Sequence, residues 1–379
     1  MSAPALRFLH TADWQIGRQY PRFEPEDAAA LFEARFTVVE RIAHRASQGN
    51  YDAVCVAGDV FDAQTVSDRT IRRLFNAMQA FKGPWIMIPG NHDAALAESV
   101  WTRAQKLGVM PSNLLLALTP EPIVLHDQRM VVLPAPLTQR QTGADLTAWF
   151  DHADSPGGYV RIGLAHGSIT GILADDIDAS NPIAPDRSAR ARLDYFALGD
   201  WHGMRAIDPY TWYSGTPETD RFRNNKSAHI LDVTLDAAGA VPRVEAVRIG
   251  QYIWDAKQID LNLPSDVDQV LQYLQDLSEH HVVSLALTGR TDLAGQARLN
   301  DALGAAQARA RALECDTHGL SLHPTDDDIA ALQADGYVAE VLQDLRVMQE
   351  SGDKVQVDDP HVARDALALL AGILQQDKS

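Results

Sequence analysis

The sequence predicts an α/β domain over residues 1–250 followed by a smaller α+β domain over residues 251–379. Three observations carry this. Short apolar runs alternate with amphipathic stretches through the first part of the chain, the pattern of strands joined by crossover helices. Five of those runs end in Gly, Asp, Asn or His rather than in ordinary turn residues. After about residue 250 that grammar stops, although strands and helices continue.

The first run, Leu6-Arg7-Phe8-Leu9-His10-Thr11-Ala12, leads into Asp13-Trp14-Gln15. Residues 27–48 follow as an amphipathic helix, with Leu31, Phe32, Val38, Val39 and Ile42 at helical spacing. Residues 53–57 form the second strand and deliver Gly58-Asp59-Val60-Phe61-Asp62. A helix from about Asp68 through Met78 leads to residues 84–89, a brief apolar run between breakers and therefore a buried strand. That strand ends in Gly90-Asn91-His92-Asp93, where the glycine permits a tight turn. Residues 95–107 read as a helix, and residues 122–125 and 130–133 as a hairpin around His126-Asp127-Gln128. The domain then turns to β, over residues 160–165, 195–198, 211–214, 227–235 and 243–249, which predicts two sheets packed together. The first of these leads into His166-Gly167 and the second into Gly199-Asp200-Trp201-His202. Beyond residue 250 the sequence reads as strands over 255–262 and 281–287 and helices over 265–279, 297–313, 336–350 and 360–375. The last helix is apolar over much of its surface, so it either packs on the domain or offers a face to a partner. Asp326-Asp327-Asp328 reads as a helix N-terminal cap region.

Composition narrows the classes. Apolar residues make up 46% and charged residues 22%, as in ordinary globular proteins. No run approaches the ~18 apolar residues that span a membrane. The N-terminal residues lack a charged region followed by an apolar one, so no signal peptide is expected. The two cysteines, Cys55 and Cys315, are far apart and suggest no disulfide framework. These features point to a cytoplasmic protein with no membrane contact. The net charge of −18 argues on its face against nucleic-acid binding. It is unevenly spread, however: residues 251–379 hold 9 Lys and Arg against 22 Asp and Glu, a net of −13, and residues 1–250 a net of −5.

Five strand ends that each deliver metal-type ligands are hard to explain as five ordinary polar turns. Open α/β sheets carry their chemistry beyond the carboxyl ends of their strands. Two divalent ions need a bridging carboxylate and a mixture of oxygen and imidazole ligands. Asp59 is the natural bridge. Asp13, Gln15 and His202 complete one shell, and Asn91, His166 and Asp200 the other. His92, beside a ligand, is suited to protonate a leaving oxygen. Asp62 is suited to hold the His92 ring in orientation. Such a set supports hydrolysis of a phosphate ester.

Asp13-x-Gln15, Gly58-Asp59-x-x-Asp62, Gly90-Asn91-His92-Asp93, His166-Gly167 and Gly199-Asp200-x-His202 resemble, in order and rough spacing, the calcineurin-like metallophosphoesterases. Residues 9–14 and 197–199, and the later Tyr213-Ser214-Gly215-Thr216-Pro217-Glu218, look most like one branch. That branch comprises the nuclease subunit of the bacterial SbcCD exonuclease and its archaeal and eukaryotic double-strand-break repair counterparts. The resemblance covers residues 6–250. It implies a four-layer α/β/β/α sandwich with a smaller C-terminal capping domain, a centre of two manganese-type ions (Mg being the alternative) and DNA as substrate. It also implies an SbcC-like coiled-coil ATPase as partner and a homodimer. The family usually has His where this chain has Gln15 and Asp200. Gln15 is a weaker, uncharged ligand and Asp200 adds a negative charge, so the expectation is a harder site that favours Mn or Mg over Zn, with a weaker ion at Gln15.

Two rivals stand beside the nuclease reading. One has the same chemistry on a small phosphodiester or phosphomonoester, which the −13 charge of the second domain favours. The other is a catalytically weak scaffold, which Gln15 and Asp200 favour. Two basic clusters, Arg187-Ser188-Ala189-Arg190-Ala191-Arg192 and Arg221-Phe222-Arg223-Asn224-Asn225-Lys226, read either as contacts to backbone phosphates or as solvated loop charge. Trp14 and Trp201 read either as walls of the site or as ordinary packing, and His10 either as functional or as a satisfied core histidine.

Overall fold

The computed structural model describes residues 5–172, 181–323, 325, 337–350 and 362, 366, 367, 369 and 370. The chain forms two compact units, Met1–Tyr252 and Ile253–Ser379.

In the first unit β1 (Leu6–Thr11), α1 (Pro25–Gln48), β2 (Ala53–Ala57), α2 (Asp68–Ala77), β3 (Trp85–Ile88), α3 (Val100–Leu107) and β4 (Leu114–Leu116) alternate as expected. β5 (Ile123–Leu125) and β6 (Met130–Ala135) pair antiparallel as the predicted hairpin. β7 (Val160–His166), β8 (Ser168–Ile169), β9 (Pro182–Ile183), α4 (Arg187–Arg190), β10 (Tyr195–Gly199), β11 (Arg205–Ala206), β12 (Thr211–Tyr213), β13 (His229–Leu235) and β14 (Arg243–Arg248) follow. Apart from β8 and β9, which pair with each other, the strands build two six-stranded sheets, ordered β14-β13-β1-β2-β3-β4 and β11-β12-β10-β7-β6-β5. β1 to β4 are parallel to one another, and so are β6, β7, β10 and β12.

The period of two along each strand decides the layers. Phe8, Cys55, Ile86, Val132, Ile162 and Ala197 all enter one core between the sheets. Their neighbours Leu9, Val54 and Met87 face a second core that includes Val39 and Ile42 of α1 and Leu74 of α2. Val131, Phe196 and Leu198 face a third, with Phe150 and Ala191. These alternating faces give the helix–sheet–sheet–helix layering. One boundary differs from expectation by more than two residues. α3 starts at Val100 rather than residue 95 because Ser99 and Thr102 close a reciprocal cap, each side chain bonding the other's backbone amide.

The second unit contains β15 (Ile253–Leu261), α5 (Pro264–Gln275), β16 (His281–Thr291), α6 (Leu293–Gln307), β17 (Ala312–Leu322) and α7 (Tyr337–Glu350). β15, β16 and β17 form one parallel sheet, and Val270, Leu274, Leu285, Leu287 and Leu299 fill its core. The expected helix over 297–313 ends at Gln307, and β17 is a strand the sequence did not announce. It lies at the sheet edge with residues 316–319 exposed, so its apolar alternation survives only at its ends. Asp326-Asp327-Asp328, and all but five positions of the helix expected over 360–375, lie outside the described residues. No described helix is long and apolar enough to cross a membrane.

Candidate metal centre

Both sheets bring the carboxyl ends of their parallel strands to one seam. His166 Nδ1, at the end of β7, bonds the Ala57 carbonyl at the end of β2 (2.8 Å). The Asp200 amide, just past β10, donates to both Asp13 oxygens just past β1 (3.2 and 3.3 Å). The turns here are tight: Asp13, Gln15, Asp59 and Asp200 have φ of 53°, 51°, 51° and 98°. Two glycines make room for the ligands. A Cβ on Gly58 (φ 87°) would lie 2.4 Å from His166 Nδ1, and one on Gly90 would lie 2.2 Å from Asp59 Oδ1.

One cluster of acceptors results. Asp13, Asp59 and His166, all buried, each offer a ligand atom within 4.8 Å of the others. His166 Nδ1 donates to a carbonyl, so the lone pair of the neutral ring is on Nε2. Nε2 faces Asp59 Oδ1 at 3.6 Å and Asp200 Oδ1 at 3.7 Å. The Asn91 amide joins them, 2.9 Å from His166 Nε2 and 3.1 Å from each Asp59 oxygen. With its nitrogen inward it donates to all three. With its oxygen inward it adds another acceptor, the orientation a cation would select. Gln15 Nε2 donates to Asp59 Oδ2 (2.8 Å), while its buried Oε1 has no partner among the described residues. Convergent acceptors and an orphaned buried oxygen fit divalent ions.

The electrostatics agree. Burial, reinforced by Asp59 and Asp200, pushes the Asp13 carboxyl up to about 6. Burial also raises Asp200. For His166 burial acts downward, yet the carboxylates of Asp59, Asp13 and Asp200 outweigh it and lift the ring to about 9. The cluster draws protons because it holds more negative charge than it can disperse.

His92 stands at the rim, its side chain 44% exposed, with Nε2 3.9 Å from Asp59 Oδ2. Its Nδ1 bonds Asp62 (2.7 Å), but through the Asp62 backbone carbonyl and not, as expected, through the carboxylate. The carboxylate instead faces Arg18 Nη1 at 3.4 Å. His202 Nδ1 lies 2.9 Å from Asp220 Oδ2. An open pocket of about 330 Å³ lies over the centre, lined by Asp59, Asn91, His92, Asp200, Trp201 and His202 together with Arg221, Arg223 and Asn225.

The sequence missed several supporting residues. Asp93 accepts from the amides of Gly90, Val60 and Phe61 and so ties two ligand turns together. It belongs to the Gly-Asn-His-Asp motif, so a signal was at hand. Ser168, which donates to Asp200, and Asp220 and Arg18 carried no local signal. The open alternatives divide. Trp14 is core, donating to Thr11 and packing edge-on to Trp85, whereas Trp201 lines the pocket. His10 is a satisfied core histidine between Tyr195 and the Leu198 carbonyl, and burial lowers its ring to about 3. In the first basic cluster Arg187 pairs with Asp145 and Asp151, and Arg190 with Asp151 and Asp186, so neither is free for phosphate.

Comparison with known proteins follows the same line. The chain is 21% identical over 285 residues to the uncharacterized metallophosphoesterase YhaO of Bacillus subtilis, spanning 72% of this chain and 67% of that protein. It is 30% identical over 109 residues to the DNA double-strand break repair protein Mre11 of Archaeoglobus fulgidus, spanning 28% of this chain and 24% of that protein. Among solved structures it is similar to TT1561 of Thermus thermophilus, at 13% identity and a TM-score of 0.40 over 65% of this chain and 99% of that one. A sequence model described as calcineurin-like phosphoesterase matches residues 6–230, more than half of the chain. The chain therefore belongs to the calcineurin-like phosphoesterase family.

Proposed function

We propose that the chain is a metal-dependent phosphodiesterase that hydrolyses DNA phosphodiester bonds, as an SbcD-like repair nuclease using two Mn or Mg ions. The observation that carries the reading is the convergence of Asp13, Asp59, Asn91, His166 and Asp200 beneath an open pocket rimmed by an exposed His92. A pair of divalent ions, when bound, supplies a water of lowered pKa and neutralises phosphate charge. The chain's own residues do the rest. Asp59 lies at the middle of the donor set, touching Gln15, Asn91 and His92, and is the residue suited to be shared. His92, with Nδ1 held by the Asp62 carbonyl, keeps Nε2 turned to the centre to hold a proton for the departing oxygen. Arg223 and Asn225 on the wall are suited to phosphates flanking the reacting one. DNA as substrate is supported by this wall, by the openness of the pocket and by the likeness to Mre11. A second reading, a small phosphodiester substrate, is favoured by the net charge of −13 over residues 251–379.

The test is hydrolysis of bis-para-nitrophenyl phosphate and of linear double-stranded DNA with Mn. The expected result is cleavage of both, with His92→Ala slowing both by about 10²–10⁴-fold at unchanged thermal stability. Cleavage of the small ester alone selects the second reading. Cleavage of neither, with metal bound, leaves a binding subunit.

A further inference from the structure

Asp220 lies 18 residues after His202 and outside every ligand motif, yet His202, Arg221 and Arg18 all converge on its carboxylate. Its side chain is 1% exposed. Burial pulls its pKa upward, but His202, Arg221 and Arg35 overwhelm that and hold it far below the ordinary carboxylate range. Its Oδ2 lies 2.9 Å from His202 Nδ1, and Arg221 Nε and Nη2 donate to its two oxygens at 3.0 and 2.9 Å. Arg18 Nη1 faces the same Oδ2 at 3.5 Å and the Asp62 carboxylate at 3.4 Å.

Two arrangements of His202 compete. Arg221 Nη2 is 2.8 Å from His202 Nδ1, as close as the carboxylate is. If the neutral ring carries its proton on Nε2, Nδ1 accepts from Arg221, and no lone pair is left for the centre. If the proton is on Nδ1, only a carboxylate can accept it, and Nε2 is free to ligate. A buried anion that already takes two bonds from Arg221 has a lone pair left on Oδ2 for this N–H, and Arg221 Nη2 already donates to that same Oδ2.

We propose that Asp220 is the positioning residue that makes His202 a metal ligand, fixing its ring in the Nδ1–H form with Nε2 open. Arg18 extends this support, because it joins Asp220 to Asp62, whose carbonyl holds His92. One buried carboxylate therefore orients a ligand and, through one guanidinium, steadies the segment that carries the proton donor's support. The inference rests on the metal reading of the centre, but its first test does not.

Nitrogen-15 NMR of the His202 ring in the metal-free full chain, at a pH where the imidazole is neutral, reads the tautomer directly. The expected result is Nδ1–H in the native protein and in Asp220→Asn, whose amide oxygen can still accept, and Nε2–H in Asp220→Ala. An Nε2–H ring in the native protein overturns the proposal. The second readout is manganese binding by calorimetry. Asp220→Ala should weaken one of the ions by about 10–100-fold, the range for removing a partner of a ligating histidine, and Asp220→Asn should recover most of it. Equal affinity in all three proteins overturns the proposal while leaving the proposed function intact. No manganese binding even to the native chain overturns the ligand role together with the metal reading. Were Asp220→Ala to fail to fold, Asp220→Asn and Arg221→Ala still decide, since Arg221→Ala should leave the ring in the Nδ1–H form.

Discussion

Residues 187–192 and 221–226 look alike in sequence, each a loop-like stretch of arginines flanking the last ligand motif. In the fold they are opposites. Arg187, its side chain 3% exposed, lies between Asp145 (2.7 Å) and Asp151 (2.6 Å), and Arg190 is held by Asp151 and Asp186. Those guanidinium groups fasten the segment carrying α4 to the 145–151 segment. In the second stretch Arg221 is held by Asp220, but Arg223 is exposed on the pocket wall with no carboxylate partner among the described residues. What separates an arginine left open on the pocket wall from a structural one is therefore not charge density along the chain. It is whether distant carboxylates already occupy it.

The sharpest way to break this comparison is Arg187→Ala. Removing one partner of a buried ion pair leaves the others uncompensated, so the first unit should lose about 3–5 kcal/mol, read by urea unfolding. A loss below about 1 kcal/mol would remove the distinction. A smaller effect follows in acid. Burial alone would raise Asp145 and Asp151, but hydrogen bonds from Thr147 and Arg187 to the first, and from Arg187 to the second, leave both lowered. A depressed carboxylate gives stability that is present above its unfolded value, about 3.9, and is lost as pH falls through the folded value. Stability of the native protein should thus drop steeply below about pH 4, and in Arg187→Ala that slope should be shallower. The smallest change is Arg223→Ala. Stability should stay within about 0.5 kcal/mol, while the salt dependence of DNA affinity falls by about one phosphate contact. An unchanged salt slope would return both stretches to the same class.

The strand ends were legible because their signal is local. A short apolar run that ends in Gly, Asp, Asn or His marks a buried strand and the residues placed past its end, and β1, β2, β3, β7 and β10 are such strands. What could not be read was set by distance through the fold. Asp220 reaches His202 across 18 residues that include β11 and β12, and Arg187 finds Asp145 across 42 residues. The choice between the Asp62 carbonyl and carboxylate as the support of His92 depends on where Arg18 lies, which no spacing reveals. β17 escaped because an exposed edge does not require apolar alternation where it meets water.

The left-handed backbone at Asp13, Gln15, Asp59 and Asp200 has a consequence on the evolutionary scale. At such φ a non-glycine residue costs on the order of 1 kcal/mol, so folding by itself favours glycine at all four. That strain is set against the hydrogen bonds the Asp13 and Asp59 carboxylates accept from the Asp200 and His92 amides. A lineage released from the reaction would keep its core and shed its ligands first at these strained turns. Descendants that have lost the activity should therefore be recognisable by glycines at these four turns, and not by damage to either sheet.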